Sequence, residues 1–213
     1  MTQLRISEIF YSLQGESTLV GLPSVFIRLT GCPLRCAYCD TRYAFKGGES
    51  MEVAQILTKI ATFQCQTICV TGGEPLAQKN CLPFLKQLCD LGYQVSLETS
   101  GALDIRAVDP RVIKVMDLKT PASGEESKNK MENLAFLDQK DQIKIVIANE
   151  TDYIWAKQQI KQYKLTDYCT VLFSPCQDEL SATTLANWIL ADKLVVRFQF
   201  QLHKMLWGNV AGK

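Results

Sequence analysis

The chain has 213 residues and a formal net charge of +1. That length is enough for one domain with a real core, and the near-neutral charge excludes a bulk electrostatic pull toward nucleic acid or an anionic membrane. Hydrophobic residues make up 47% and charged residues 21%, the balance of a soluble globular protein, and no run of about 18 apolar residues marks a membrane span.

The first residues, "MTQLRISEIF", lack the apolar h-region of a secretion signal, so the expected location is the cytoplasm. "SVFIRLT", Ser24–Thr30, reads as a strand and leads into three closely spaced cysteines. Val53, Ile56, Leu57 and Ile60 form one apolar helical stripe, with Ser50 as its N-cap. "TICVTG", Thr67–Gly72, is the next strand and ends in two glycines. Leu82, Leu85, Leu88 and Cys89 make a second stripe, closed by Gly92 at C′. Strands follow at Gln94–Thr99 and Arg111–Lys119. The most polar stretch, "TPASGEESKNK" (Thr120–Lys130), reads as a loop leading into a helix and is too short to divide domains. A strand at Gln142–Ala148, a helix carrying Ile154, Trp155 and Ile160, and a strand at Cys169–Ser174 come next. A helix with Leu185, Trp188 and Ile189 and a strand at Leu194–Phe200 complete the series.

There is no internal repeat or linker, so residues 1–213 are expected to form a single domain. Alternating strands and helices predict an α/β fold of βαβ units with a parallel sheet, either open or closed into an incomplete barrel. Ligands in such folds sit at the C-terminal strand ends.

Nine cysteines is a high and odd count, and without an export signal disulfides are not expected. Cys32, Cys36 and Cys39 stand within eight residues, on a segment that Gly31 and Pro33 bias toward a loop. Thiolates select zinc, copper(I) or iron–sulfur clusters. A closed zinc site needs a fourth protein ligand, yet no second cysteine pair exists and the only histidine, His203, is remote in sequence. A 4Fe–4S cluster on three cysteines leaves one iron open to a substrate or cofactor. Cys65, Cys69, Cys81, Cys89, Cys169 and Cys176 are unrelated to this motif; Cys69 and Cys169 fall in apolar strands as small hydrophobes.

The pattern C-x-x-x-C-x-aromatic-C, seen as Cys32, Cys36, Tyr38 and Cys39, resembles the signature of radical S-adenosylmethionine (SAM) enzymes. The resemblance implies a partial TIM-type barrel of parallel strands with outer helices. It also implies a 4Fe–4S cluster whose open iron holds SAM and, once reduced, cleaves it to a 5′-deoxyadenosyl radical. Tyr38 would lie against the adenine. "GGEP", with Gly72, Gly73 and Glu74, matches the motif that holds the SAM amino group, where residues without a Cβ let a ligand approach the backbone. Glu98 and Ser100 in "LETSG", Asp117 and Lys119 in "MDLKTP", and Ser174 and Gln177 in "FSPCQD" sit where the superfamily reaches the ribose, carboxylate and adenine of SAM.

Within that superfamily, "EIFYSLQGESTLVGLPSVFIRLTGCPLRCAYCDT" closely resembles the 7-carboxy-7-deazaguanine synthases of queuosine and other 7-deazapurine biosynthesis. "VTGGEPL", "LETSG", "MDLKTPASGE" and "QFQLHKMLWG" extend the likeness over most of the chain. By that resemblance the substrate is 6-carboxy-5,6,7,8-tetrahydropterin, contracted to the deazaguanine with loss of ammonia. Leu13, Gln14 and Gly15 in "SLQGE", Thr71 and His203 would contact the pterin, and Arg28 would grip its carboxylate with parallel bonds. Thr41 would contribute a hydroxyl to a magnesium ion completed by substrate oxygens and water, with Asp40 orienting the loop. The family further implies a homodimer, with Trp207 as a candidate interface residue, and a flavodoxin- or ferredoxin-type electron donor; no nucleic-acid or membrane partner is expected. Two departures stand out. The spacing from Cys32 to Cys36 is the short form, and "GNVAGK" extends past the end of some members, so no terminal contact is transferred to Lys213. The rival readings are a glycyl-radical activase of the same superfamily and a non-catalytic zinc or iron–sulfur module.

Overall fold

A computed structural model describes residues 2–208, 210 and 212; Lys213 lies outside them. Its centre is a nine-stranded sheet. In chain order the strands are β1 (Gln3–Leu13), β2 (Pro23–Leu29), β3 (Glu49–Glu52), β4 (Thr67–Gly72), β5 (Gln94–Thr99), β6 (Ile113–Asp117), β7 (Gln142–Ile147), β8 (Thr170–Pro175) and β9 (Arg197–Phe198). The helices are α1 (Val53–Ala61), α2 (Cys81–Asp90), α3 (Glu150–Tyr163), α4 (Leu165–Tyr168), α5 (Ala182–Ala191) and α6 (Leu202–Trp207). The sheet order is β3-β1-β2-β4-β5-β6-β7-β8-β9. β1 is antiparallel to both its neighbours, and every pair from β2 to β9 is parallel. The sheet does not close on itself, as in a partial barrel. No described helix is long and apolar enough to cross a membrane.

Period-2 alternation divides the parallel strands between two faces. Val25, Ile27 and Leu29 of β2, Ile68 and Val70 of β4, Ile143, Ile145 and Ile147 of β7, and Val171 and Phe173 of β8 face the helices. There they join Ile56, Ile60, Phe84, Leu88 and Leu185 in one core. The intervening residues face the other way: Arg28, Thr71, Glu98, Asp117, Lys144 and Ser174, one per strand, line a single cleft. In register, Arg28 lies opposite Thr71 and Asp117 opposite Lys144, while Glu98 lies opposite Val115 and Ser174 opposite Val146, so the row steps by two residues along the strands at those points.

Several expectations from the sequence need correcting. Ser50 does not cap α1; it lies in the edge strand β3, and Glu52 is the N-cap, in a capping box with Gln55. Ile154 does not face the core, being 48% exposed; α3 buries Asp152, Tyr153 and Ala156 instead. The strand expected over Leu194–Phe200 shrinks to Arg197–Phe198, with Val195 exposed at the sheet edge. The helix expected after Thr120–Lys130 is a six-residue 3-10 segment, Met131–Phe136. β1 and α6 are additions. A register shift between Ile6 and Glu8 breaks the alternation of β1, so its buried positions run Leu4, Ile6, Ile9.

Candidate active site

The cysteine segment leaves β2 at the C-terminal end of the parallel sheet, where a loop after a buried strand presents its side chains to the space above. It closes in a 3-10 turn at Arg42–Phe45, with Gly31 N donating to Ala44 O (2.8 Å). Cys32, Cys36 and Cys39 carry free, half-buried thiols on the wall of a cleft of about 690 Å³. Burial pushes the Cys32 and Cys36 thiols up, so binding iron there must displace their protons. Among the described residues, no three His, Cys, Asp or Glu side chains converge closely enough to share one metal ion. Three thiols on one loop, all lining the cleft, can each take one iron of a multi-iron centre. The donor set therefore fits a 4Fe–4S cluster.

The paired glycines at the end of β4 serve the loop directly. A Cβ on Gly72 would stand 2.6 Å from Leu29 O, and one on Gly73 would stand 2.2 Å from Gly31 O and 3.0 Å from the Cys32 Cβ. Gly73 N donates to Leu29 O (3.2 Å) and Glu74 N to Gly31 O (2.7 Å). The glycines thus let β4 close on the base of the cysteine loop while their backbone lines the cleft.

Every residue expected from the sequence to contact the cluster, SAM, the pterin or magnesium lines this cleft except Glu74. The Glu74 carboxylate is fully buried and accepts from the Thr99 hydroxyl (3.0 Å), Ser100 N (2.6 Å) and Leu76 N (2.9 Å). It braces the end of β5 rather than pointing at a ligand. Glu98 does point inward, but toward the residues assigned to the pterin. It accepts from Thr71 Oγ1 (2.9 Å) and from Gln14 Nε2 (3.5 Å). Arg28 donates through Nε to Glu8 Oε1 (2.7 Å), and Glu8 also accepts from the Tyr43 hydroxyl (2.7 Å). Burial alone would lower the Arg28 pKa; Tyr43 and Glu8 more than compensate and hold it raised.

Across the sheet runs a chain of alternating charge. Lys119 Nζ is 2.7 Å from Asp117 Oδ2, Lys144 Nζ is 3.3 Å from Asp117 Oδ1, and Lys144 Nζ is 2.8 Å from Glu16 Oε2. Desolvation would neutralise these groups, but the neighbouring opposite charges outweigh it. The pKa of Asp117 is lowered and those of Lys119 and Lys144 are raised. Asp117 Oδ1 is close enough for Coulomb attraction to Lys144 yet lacks a well-aligned hydrogen bond, and Ser174 Oγ has none. A buried hydroxyl without a partner, beside a carboxylate oxygen held only by charge attraction, is what a polar ligand would satisfy.

On the opposite rim, α6 closes over the SLQGE segment. Leu202 N donates to Gly15 O (2.9 Å) and Gln201 Nε2 to Glu16 Oε1 (2.8 Å). His203 stacks so closely that a Cβ on Gly15 would meet its Nδ1 at 2.2 Å. Burial lowers the His203 pKa. Asp40 accepts from Lys204 Nζ (2.8 Å) and from Thr41 Oγ1 (2.8 Å). Burial works against its charge, but Lys204, Thr41 and Lys144 hold it well below the usual carboxylate range.

Sequence reasoning passed over Glu8, Glu16, Tyr43, Lys144, Gln201 and Lys204, all at or bonded to the cleft. For Lys144 the signal was available: in "QIKIVI" the isoleucines at 143, 145 and 147 take one face, which leaves Lys144 on the other. Among the other cysteines, burial raises the thiols of Cys69, Cys81 and Cys169, as expected for small buried hydrophobes.

Comparison with known proteins places this geometry. Residues 26–117 match the model of the Radical SAM superfamily. The chain is 43% identical to the 7-carboxy-7-deazaguanine synthase of Chlorobaculum tepidum over 96% of its length and 94% of the relative's. It is 40% identical to that of Koribacter versatilis, over 96% and 97%. The crystal structure of QueE from Escherichia coli shares the fold, with a TM-score of 0.77 at 24% identity over 94% of this chain and 95% of that one.

Proposed function

Because the chain belongs to the 7-carboxy-7-deazaguanine synthases, radical SAM enzymes of the 7-deazapurine pathway, we propose that it converts 6-carboxy-5,6,7,8-tetrahydropterin into 7-carboxy-7-deazaguanine with loss of ammonia. Together, a reduced 4Fe–4S cluster and SAM supply the one-electron C–S cleavage that yields a hydrogen-abstracting radical. The chain's own residues hold, orient and charge-balance the reactants.

Cys32, Cys36 and Cys39 hold the cluster. Tyr38 and the backbone of Gly72 and Gly73 line the SAM half of the cleft, with Ser100, Asp117, Lys119, Ser174 and Gln177 around it. Ser174 Oγ, which has no hydrogen bond, and Asp117 Oδ1, held only by charge attraction to Lys144, support this assignment; they offer a hydroxyl and an acceptor to a ribose or an ammonium. Glu74 acts from behind by bracing Thr99 and Ser100.

The pterin half is framed by Leu13, Gln14 and Gly15, by Thr71 and Arg28, and by His203. Glu98 joins this group, since its hydrogen bonds run to Thr71 and Gln14; a carboxylate there suits the N–H edge of a pterin. Arg28 is anchored by one nitrogen to Glu8, which leaves its terminal fork to grip the substrate carboxylate. Thr41 would supply a hydroxyl to Mg²⁺, an ion that takes oxygen ligands and would draw the others from substrate and water.

The proposal extends to a single domain over 1–213, a cytoplasmic location, a flavodoxin- or ferredoxin-type donor and a homodimer; Met205, Leu206 and Trp207 offer exposed apolar surface on α6. The observation that carries the reading is the row of polar residues Arg28, Thr71, Glu98, Asp117, Lys144 and Ser174, one from each successive strand, lining the cleft beside the cysteine loop. The test is an anaerobic incubation with SAM, reductant, Mg²⁺ and the carboxypterin. The expected product is the deazaguanine carboxylate by mass, with ammonia released. SAM cleavage without consumption of the pterin would refute the substrate.

A further inference from the structure

Within the cysteine loop, Cys32–Cys39, the one backbone–backbone bond is Cys39 N to Cys36 O, at 3.2 Å, and the other internal bonds are Leu34 N to Cys32 Sγ and Arg35 Nη1 to Cys32 O and Leu34 O. The segment after β6 supports it. Ala37 N donates to Ser123 O (3.0 Å), Arg35 N to Glu125 Oε1 (2.5 Å), and the hydroxyls of Tyr38 and Thr120 meet at 3.3 Å. Behind that last contact lies Asp152 of α3, a fully buried carboxylate outside the cleft. It accepts from Thr120 Oγ1 (2.9 Å), Ala122 N (2.9 Å) and Ala148 N (3.0 Å).

These bonds have a direction. A carboxylate only accepts, and the Thr120 hydroxyl carries one proton. That proton goes to the charged acceptor at 2.9 Å rather than to Val146 O at 3.2 Å. Thr120 Oγ1 therefore offers Tyr38 a lone pair, and Tyr38 must donate. Each member is fixed by the next, from the aromatic ring on the cleft wall to a carboxylate locked at the start of α3.

We propose that Thr120 and Asp152 are positioning residues for the Tyr38 ring, and that this directed hydrogen-bond chain sets the platform on which the SAM adenine lies. The inference rests on the reading that Tyr38 faces the adenine. Asp152 also ties the ends of β6 and β7 to α3, so its own replacement would mix positioning with folding. Thr120 separates the two, because Thr120→Val keeps the shape and leaves the Ala122 and Ala148 bonds to Asp152 in place.

The test is the dissociation constant for SAM, measured by equilibrium binding on anaerobically reconstituted protein with cluster iron quantified in parallel. Thr120→Val and Tyr38→Phe should each weaken binding roughly threefold to tenfold, the worth of one hydrogen bond. The double variant should be no weaker than either single one, since both remove the same contact, and Thr120→Ser should restore wild-type affinity. Unchanged affinity in the single variants, or losses that multiply in the double variant, would overturn the chain. If Thr120→Val fails to hold a cluster, Tyr38→Phe and Thr120→Ser still decide: unchanged affinity in Tyr38→Phe overturns the inference. Wild-type protein that carries its cluster but binds no SAM overturns the functional reading itself, and this inference with it.

Discussion

Arg28 is the cleft residue proposed to meet the substrate carboxylate. Its Nε is committed to Glu8, and among the described residues the rest of the guanidinium makes no hydrogen bond. Arg28→Ala should therefore lower pterin turnover at least tenfold while sparing uncoupled SAM cleavage, as read by product formation against 5′-deoxyadenosine. Arg28→Lys should not rescue, because an ammonium lacks the planar fork. Equal loss of both activities would show that the change merely disturbs the site. Replacing Cys32, Cys36 or Cys39 with Ala should abolish both cluster iron content and SAM cleavage; Cys69→Ala, at a buried position in β4, should retain both. At this scale the site was legible where function demands a motif. The cysteines are recognisable by spacing, and the paired glycines and strand-end polar residues by their resemblance to the superfamily's motifs. Glu8, Glu16 and Lys204 were not, because their roles come from partners far away in sequence: Arg28, Lys144 and Asp40.

Among the elements, α6 is the most weakly seated. It buries none of its residues and is held by hydrogen bonds to Gly15, Glu16 and Asp40 and by the contact of His203 with Gly15. Gly15→Ala places a methyl where the His203 ring sits. It should displace α6 and raise the KM for the pterin several-fold, with cluster content and SAM affinity unchanged. An unaltered KM would separate α6 from substrate binding. The same weakness explains why the sequence does not show α6: without a buried face it has no apolar period to read. β1 was hidden for a different reason, its register shift. The parallel strands β4 and β5 were legible to the residue, because strands buried on both faces run as apolar segments ended by polar groups.

For the whole molecule, alternation along the strands separates stability from chemistry: one sheet face joins the helices in the core and the other carries the cleft. The two ends differ as well. Opposite the cleft, at the N-terminal strand ends, Lys114 of β6 and Asp141 before β7 form a buried ion pair at 2.8 Å, with Asp141 also accepting from Lys114 N (2.8 Å) and Asp138 N (3.0 Å). Asp141→Ala strands a buried ammonium and should cost roughly 3–5 kcal/mol in chemical denaturation, with SAM affinity of the folded fraction unchanged; a loss under 1 kcal/mol would show that the pair is not structural. The fold class followed from the order of strands and helices, whereas the open sheet edge at β9 depended on how few residues pair there. The central claim is that three cysteines leave one iron of the cluster open for SAM, and the most direct test is electron paramagnetic resonance of the reduced, anaerobic protein with and without isotopically labelled SAM. The account predicts a shifted cluster signal, with hyperfine coupling to the labelled amino nitrogen and carboxylate. A spectrum indifferent to SAM, or a cluster with four protein ligands, would contradict it.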